Sequence, residues 1–204
     1  TRATKKTRNY DVKHLETAIN TVLERKGTVI LPCFSFSRTQ ELLTTLYDIY
    51  GVRSDFDTPI FIDSKLSCDI CELYGNMLEG ENLSKWNDVR NWGNVNFIVD
   101  KTESQSCIAN DMPKIIISSS GFCTNGRVVG YLKKYIQDSK SMIIFSGYTG
   151  DNPSYLSYRI KNYRENRLIK INKEMFHNRA DCIVLSTFSS HADINDLIKY
   201  GSSL

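Results

Sequence analysis

Apolar positions along this chain switch repeatedly between helical and strand spacing. In DVKHLETAINTVLERK (11–26), Val12, Leu15, Ile19, Val22 and Leu23 recur every three to four residues. That spacing lays one apolar stripe along a helix, and Gly27 is a natural stop. TVILPCF (28–34) predicts a short strand, and SRTQELLTTLYDIYG (37–51) a helix with Ser37 as N-cap and Glu41 in its first turn. TPIFID (58–63) predicts the next strand, followed by a helix through CDICELYGNML capped by Ser64 or Ser67. Residues 80–94 are polar, carry both tryptophans, and predict an irregular excursion with a short helix. VNFIVD (95–100), KIIISS (114–119) and SMIIFSG (141–147) predict strands. GRVVGYLKKYIQD (126–138) and PSYLSYRIKNY (153–163) predict helices, the second opening on proline. Short strands near 168–171 and 182–186 precede a last helix from Asp193.

Strand and helix alternating in this way predict an α/β fold, a mostly parallel sheet flanked by helices on both faces. In such sheets function gathers at the carboxyl ends of the strands. The 204 residues, 41% apolar, suffice for one large domain, and no internal repeat or low-complexity linker divides them. A net charge of +3 permits a polyanionic partner without requiring one. No apolar run reaches the roughly 18 residues of a membrane span, and no signal peptide opens the chain, so a cytoplasmic location is expected. The six scattered cysteines read as buried thiols of a reducing compartment. Cys68 and Cys71 form a lone C-x-x-C, with no second pair to complete a four-ligand zinc site.

The residues after the predicted strands share one chemistry. FSFSR follows the first, Asp63-Ser64-Lys65 the second, SSSGFCTNGR the 114–119 strand, GYTGDN the 141–147 strand and TFSSHAD the last. Hydroxyls and backbone N–H groups donate to anionic oxygens, glycine allows close approach, and a helix N-terminus favours negative charge. Ser64, Ser119 and Ser190, with Arg38 and Arg127 at helix starts, are the candidate contacts for phosphate. Ser and Gly also cap helices in any α/β domain. An arginine in a first helical turn opposes the dipole, so Arg38 and Arg127 need a partner, and a buried carboxylate would serve as well as a phosphate. No Walker A run and no G-x-G-x-x-G occurs.

Of three histidines, His14 lies among charged neighbours on the first helix, and His177 falls in the polar stretch KEMFHNRAD, which predicts a loop. His191 alone combines a strand end, neighbouring hydroxyls and the nearby carboxylate of Asp193, a setting suited to proton transfer or phosphate binding near neutrality.

Five segments, in order, resemble the β-CASP proteins, the nucleic-acid-processing branch of the metallo-β-lactamase superfamily. They are GTVILPCFSFSRTQELL, PIFIDSKLS, PKIIISSSGFCTNGRVVGYLKKYI, IIFSGYTG and STFSSHAD. The resemblance implies a Rossmann-like β-CASP domain over 10–186, a linker over 1–9, and over 187–204 the family's motif B and the start of a return toward a metallo-β-lactamase domain. It implies a zinc-dependent nuclease hydrolysing RNA phosphodiester bonds in the cleft between the two domains, with single-stranded RNA and the metallo-β-lactamase domain of the same polypeptide as partners. Homo-oligomerisation stays open. His191 corresponds to the motif B histidine, near the scissile phosphate. The chain has no His-x-His-x-Asp-His, so the zinc is expected in a full-length parent and not in this chain, which would be inactive alone. The charged start TRATKKTR and the end YGSSL read as cut. Ser37 stands where the family usually has Gly before Arg38, and Lys65 where it has Pro; the first change narrows how closely a phosphate can approach that turn. Two other readings remain. One is a non-catalytic RNA-binding or assembly module of a pseudo-nuclease; the other is an unrelated Rossmann-like small-molecule enzyme.

Overall fold

The computed structural model describes residues 5–163, 167–188 and 194–202, with the side chains of 5–7 and 194–197 left aside. The elements are α1 (Lys5–Glu24), β1 (Thr28–Pro32), α2 (Arg38–Tyr50), β2 (Ile60–Asp63), α3 (Lys65–Gly75), α4 (Gly80–Arg90), β3 (Val95–Ile98) and α5 (Lys101–Ala109). They continue with β4 (Lys114–Ser118), α6 (Val128–Tyr135), β5 (Met142–Phe145), α7 (Leu156–Asn162), β6 (Leu168–Ile171), β7 (Glu174–His177), β8 (Asp181–Val184) and α8 (Ile194–Gly201).

Six of the described strands form one parallel sheet in the order β3-β2-β4-β1-β5-β8, and β6 and β7 pair as a separate antiparallel ribbon. The α/β expectation holds. The strands read as unbroken apolar runs because both faces of the sheet are covered. Alternation sorts them: Val29, Leu31, Ile60, Ile62, Ile115 and Ile117 join the core under α1 to α4. Ile30, Ile116 and Ile143 join the core beneath α5, α6, α7 and the ribbon.

Two expectations are corrected, and one helix appears where none was assigned. Residues 80–90 form a regular helix whose Trp86 and Val89 are buried. Residues 101–109 form a helix that the apolar pattern did not predict; Asp100 caps it, accepting from the Thr102 and Glu103 amides at 2.6 and 3.2 Å. The His177 stretch is strand β7, paired with β6, and not a loop. Helix α1 also extends back to Lys5. No described helix is long and apolar enough to cross a membrane.

β1 sits inside the sheet between β4 and β5. The chain leaves β1 for β2 on one side, whereas it leaves β5 for β8 on the other. Connections that diverge between neighbouring strands open a crevice at their carboxyl ends.

Candidate functional site

That crevice is a cleft of about 410 Å³ lined by the loops after β1, β4 and β5. Arg38, the first residue of α2, reaches into its floor. The residue before it, Ser37, has φ 63° and ψ −48°, and the Arg38 amide donates to the Phe36 carbonyl at 2.7 Å. This is a γ-turn of positive φ, a strained conformation for a residue with a Cβ. It leaves Phe36 63% exposed while Arg38 is only 8% exposed. The next two residues hold the loop: Thr39 Oγ1 donates to the Phe34 carbonyl at 3.0 Å and Gln40 Nε2 to the Ser35 carbonyl at 3.2 Å.

One guanidinium nitrogen of Arg38 donates to the Ser146 carbonyl at the end of β5. Its Nε is buried without a hydrogen-bond partner among the described residues. Burial holds its pKa below the usual arginine value. A Cβ on Gly147 would lie 2.6 Å from that same nitrogen, so glycine there makes room for the guanidinium.

Arg127 differs. Its Nη1 donates to Asp63 Oδ1 at 2.8 Å and to the Ile98 carbonyl at 3.0 Å, and its Nη2 to the Val99 carbonyl at 2.6 Å. Asp63 is fully buried, and its second oxygen accepts from Ser104 Oγ and Tyr131 OH, each at 2.6 Å. Of the two partners the sequence left open for Arg127, the carboxylate is present. The network joins the ends of β2 and β3 to α5 and α6. Gly126, at φ 81°, is obligatory in this turn, since a Cβ would lie 2.2 Å from the Ser119 carbonyl.

The candidate serines meet in part. Ser119 Oγ donates to Ser64 Oγ at 2.9 Å, and Ser35 Oγ lies 3.5 Å from Ser64. Ser64 is also the N-cap of α3, accepting from the Ser67 amide at 3.2 Å, and is 5% exposed. Ser119 is partly exposed. Arg38 borders the β1–β5 side of this edge, and Arg127 lies beyond β2. His191 and Ser190 lie outside the described residues.

Aromatic side chains that sequence reasoning did not single out rim the cleft. Phe34 is 49% and Tyr148 66% exposed. Phe122 packs edge to face with both, at 5.4 Å and 89° and at 6.2 Å and 84°. Ser157 of α7 ties two loops together, its amide donating to the Phe122 carbonyl at 3.2 Å and its hydroxyl to the Thr149 carbonyl at 2.7 Å. The readable signal was three aromatics, Phe34, Phe36 and Tyr148, within otherwise polar post-strand turns.

Cys68 and Cys71 are buried on α3, and burial pushes both thiols up to about 11. Among the described residues no three His, Cys, Asp or Glu side chains are grouped to hold a metal ion.

A six-stranded parallel sheet with hydroxyls, a buried arginine and exposed aromatics along its carboxyl edge defines a Rossmann-like α/β domain. The chain belongs to the Beta-Casp domain family, whose model matches residues 39–153. It is 29% identical over 211 residues to the "Transcription termination factor FttA" of Methanococcus maripaludis, covering 95% of this chain and 31% of that protein. To the "RNase J-like protein" of Methanocaldococcus jannaschii it is 29% identical over 182 residues, 89% of this chain and 41% of that protein. To "Endoribonuclease YSH1" of Eremothecium gossypii it is 25% identical over 158 residues, 72% and 20% of the two chains. The chain spans about a third of the length of the termination factors it matches.

Proposed function

We propose that this chain is the cap domain of a zinc-dependent, metallo-β-lactamase-fold nuclease that hydrolyses RNA phosphodiester bonds in the cytoplasm, and that alone it neither holds the zinc nor cuts. The observation that carries the reading is the meeting of Ser64, Ser119 and Ser35, the last in the loop that leads to Arg38, at one sheet edge. The relatives named as ribonucleases support it. Arg38 would donate to phosphate oxygens of single-stranded RNA, and Ser119 would join it by turning its one hydroxyl hydrogen from Ser64 to the phosphate. Ser64 would hold Ser119 in place, and Arg127 would act through Asp63 to fix the edge. His191, with Ser190 beside it, would contact the scissile phosphate. The described side chains do not fit a zinc site, so under this proposal the metal belongs to another part of a longer polypeptide.

The test compares zinc content and RNA cleavage of this chain with those of its complete parent. Zinc and cleavage in the parent, and neither in the chain, is the expected result; cleavage by the chain alone would overturn it. His191→Ala in the parent should lower turnover and leave metal content intact. A second reading, a non-catalytic RNA-binding module, draws on the relatives named as termination factors. It predicts a parent that binds RNA without cutting.

A further inference from the structure

We propose that the β1–β5 cleft is a subsite for one unpaired nucleobase of single-stranded RNA, stacked against Phe34 and Tyr148 with its polar edge or adjoining phosphate on Arg38. This rests on the RNA reading above and names the part of the ligand that enters the cleft.

Three loops converge there although their residues are far apart in sequence. Phe34 and Phe36 follow β1, Phe122 follows β4 and Tyr148 follows β5. Phe122 meets Phe34 and Tyr148 edge to face, so neither is stacked parallel on it, and both keep about half or more of their surface open. Phe36 adds a third exposed ring. Large apolar side chains grouped this openly at a concave site mark a binding surface.

Arg38 decides what kind of ligand fits. A purely apolar segment laid into the cleft would seal a guanidinium whose Nε already lacks a partner among the described residues, a costly outcome. A nucleotide supplies both halves. Its base has a π-face for the rings, and its carbonyl, ring-nitrogen and phosphate acceptors match an arginine donor. A volume of about 410 Å³ is ample for one nucleotide and falls at the low end of small-ligand pockets. Every base has a π-face, so this subsite favours single strands over duplex without strong sequence preference.

The test uses the 204-residue chain and a fluorescently labelled single-stranded RNA octamer, read by anisotropy at fixed salt. The octamer is also made with one abasic nucleotide, scanned along its length. Tyr148→Leu and Phe34→Leu remove the ring faces while keeping apolar volume, and Tyr148→Phe keeps the ring. We expect Tyr148→Leu to weaken binding about ten-fold and Tyr148→Phe to leave it unchanged. At one position the abasic nucleotide should weaken binding of the unmodified chain similarly and abolish the difference between it and Tyr148→Leu. If the folded Leu variants bind as tightly as the unmodified chain while Ser119→Ala weakens binding, the RNA reading stands and the stacking subsite falls. If the unmodified chain binds neither octamer, the stacking subsite falls, and the RNA reading is then decided by cleavage in the complete parent. A Leu variant that changes only the association state would make the cleft a protein contact and overturn the proposal.

Discussion

The Asp11 carboxylate on α1 accepts the Thr187 amide at 2.9 Å, 176 positions further along the chain, and the same oxygen accepts the Ser186 amide at 2.9 Å. Nearby, the Arg8 guanidinium lies 5.5 Å from the centre of the Phe188 ring and pairs with Glu41. The first helix therefore fixes the path on which the chain leaves β8, shortly before His191.

Asp11→Ala leaves two amides without their acceptor. Bonds to a charged group are worth roughly 1.5–3 kcal/mol each and overlap when they share one oxygen, so a loss of about 2–3 kcal/mol is expected in urea unfolding. Asp11→Asn keeps an acceptor oxygen and should lose less than half of that. An unchanged midpoint for Asp11→Ala would show that the turn holds itself.

Removing one partner of the Asp63–Arg127 pair is the harsher change. Asp63→Ala strands Arg127, Ser104 and Tyr131 in a buried site, and breaking a buried pair costs about 3–5 kcal/mol. Arg127→Lys keeps the charge but cannot reach Asp63 and two carbonyls from one planar fork, so it should lose stability too, though less than Asp63→Ala. Chemical denaturation of the three chains checks the order. If Arg127→Ala were instead as stable as the unmodified chain, the guanidinium would be free for substrate.

The sequence made the parallel sheet readable because β1, β4 and β5 are buried on both faces and spell unbroken apolar runs. Helix α5 left a faint trace. Its apolar residues cluster at its end, and its order comes from elsewhere: Lys114 Nζ donates to the Cys107 carbonyl at 2.8 Å and Lys134 Nζ to the Ile108 carbonyl at 2.6 Å. Asp100 followed by Glu103 was the local capping signal to read. β7 buries one side chain, Phe176, too little for a period-two pattern. At the site, Arg38 and Arg127 looked alike, each at a helix start. Only the fold brings Asp63, 64 positions from Arg127, to one of them. The aromatic cleft was illegible for the same reason, since strand order decides which loops become neighbours.

Burial raises the thiols of Cys68 and Cys71 to about 11 and Cys33 to about 12, from 9.0. A raised pKa means the folded state keeps its proton while the unfolded chain gives it up. The contribution to stability is therefore complete below pH 9 and is lost as pH rises from 9 towards 11. Tyr131 and Tyr50 are pushed up by burial as well and extend the loss at higher pH. The urea midpoint should be flat around neutral pH and fall steadily above pH 9. Cys71→Val, which has no proton to lose, should flatten that fall. A midpoint independent of alkaline pH would mean these thiols are open to solvent.

Ser37 occupies a turn whose φ of 63° suits glycine better than a residue with a Cβ. Ser37→Gly relieves the steric cost of that turn, roughly 1–2 kcal/mol, but the freer unfolded chain returns about 0.5–1 kcal/mol of it. The net gain should be about 0.5–1 kcal/mol, read as a higher urea midpoint. Ser37 contributes no side-chain cap to α2, so no hydrogen bond is lost in exchange. RNA affinity should stay level or rise, because the Arg38 amide keeps its bond to the Phe36 carbonyl and the turn loses only a side chain. Gly147→Ala is the opposing control. Its new methyl would lie 2.6 Å from the buried Arg38 guanidinium, push it off the Ser146 carbonyl, and so weaken binding and lower stability together. If Ser37→Gly destabilises the chain instead, the serine hydroxyl holds the turn, and the strain assigned to it is absent.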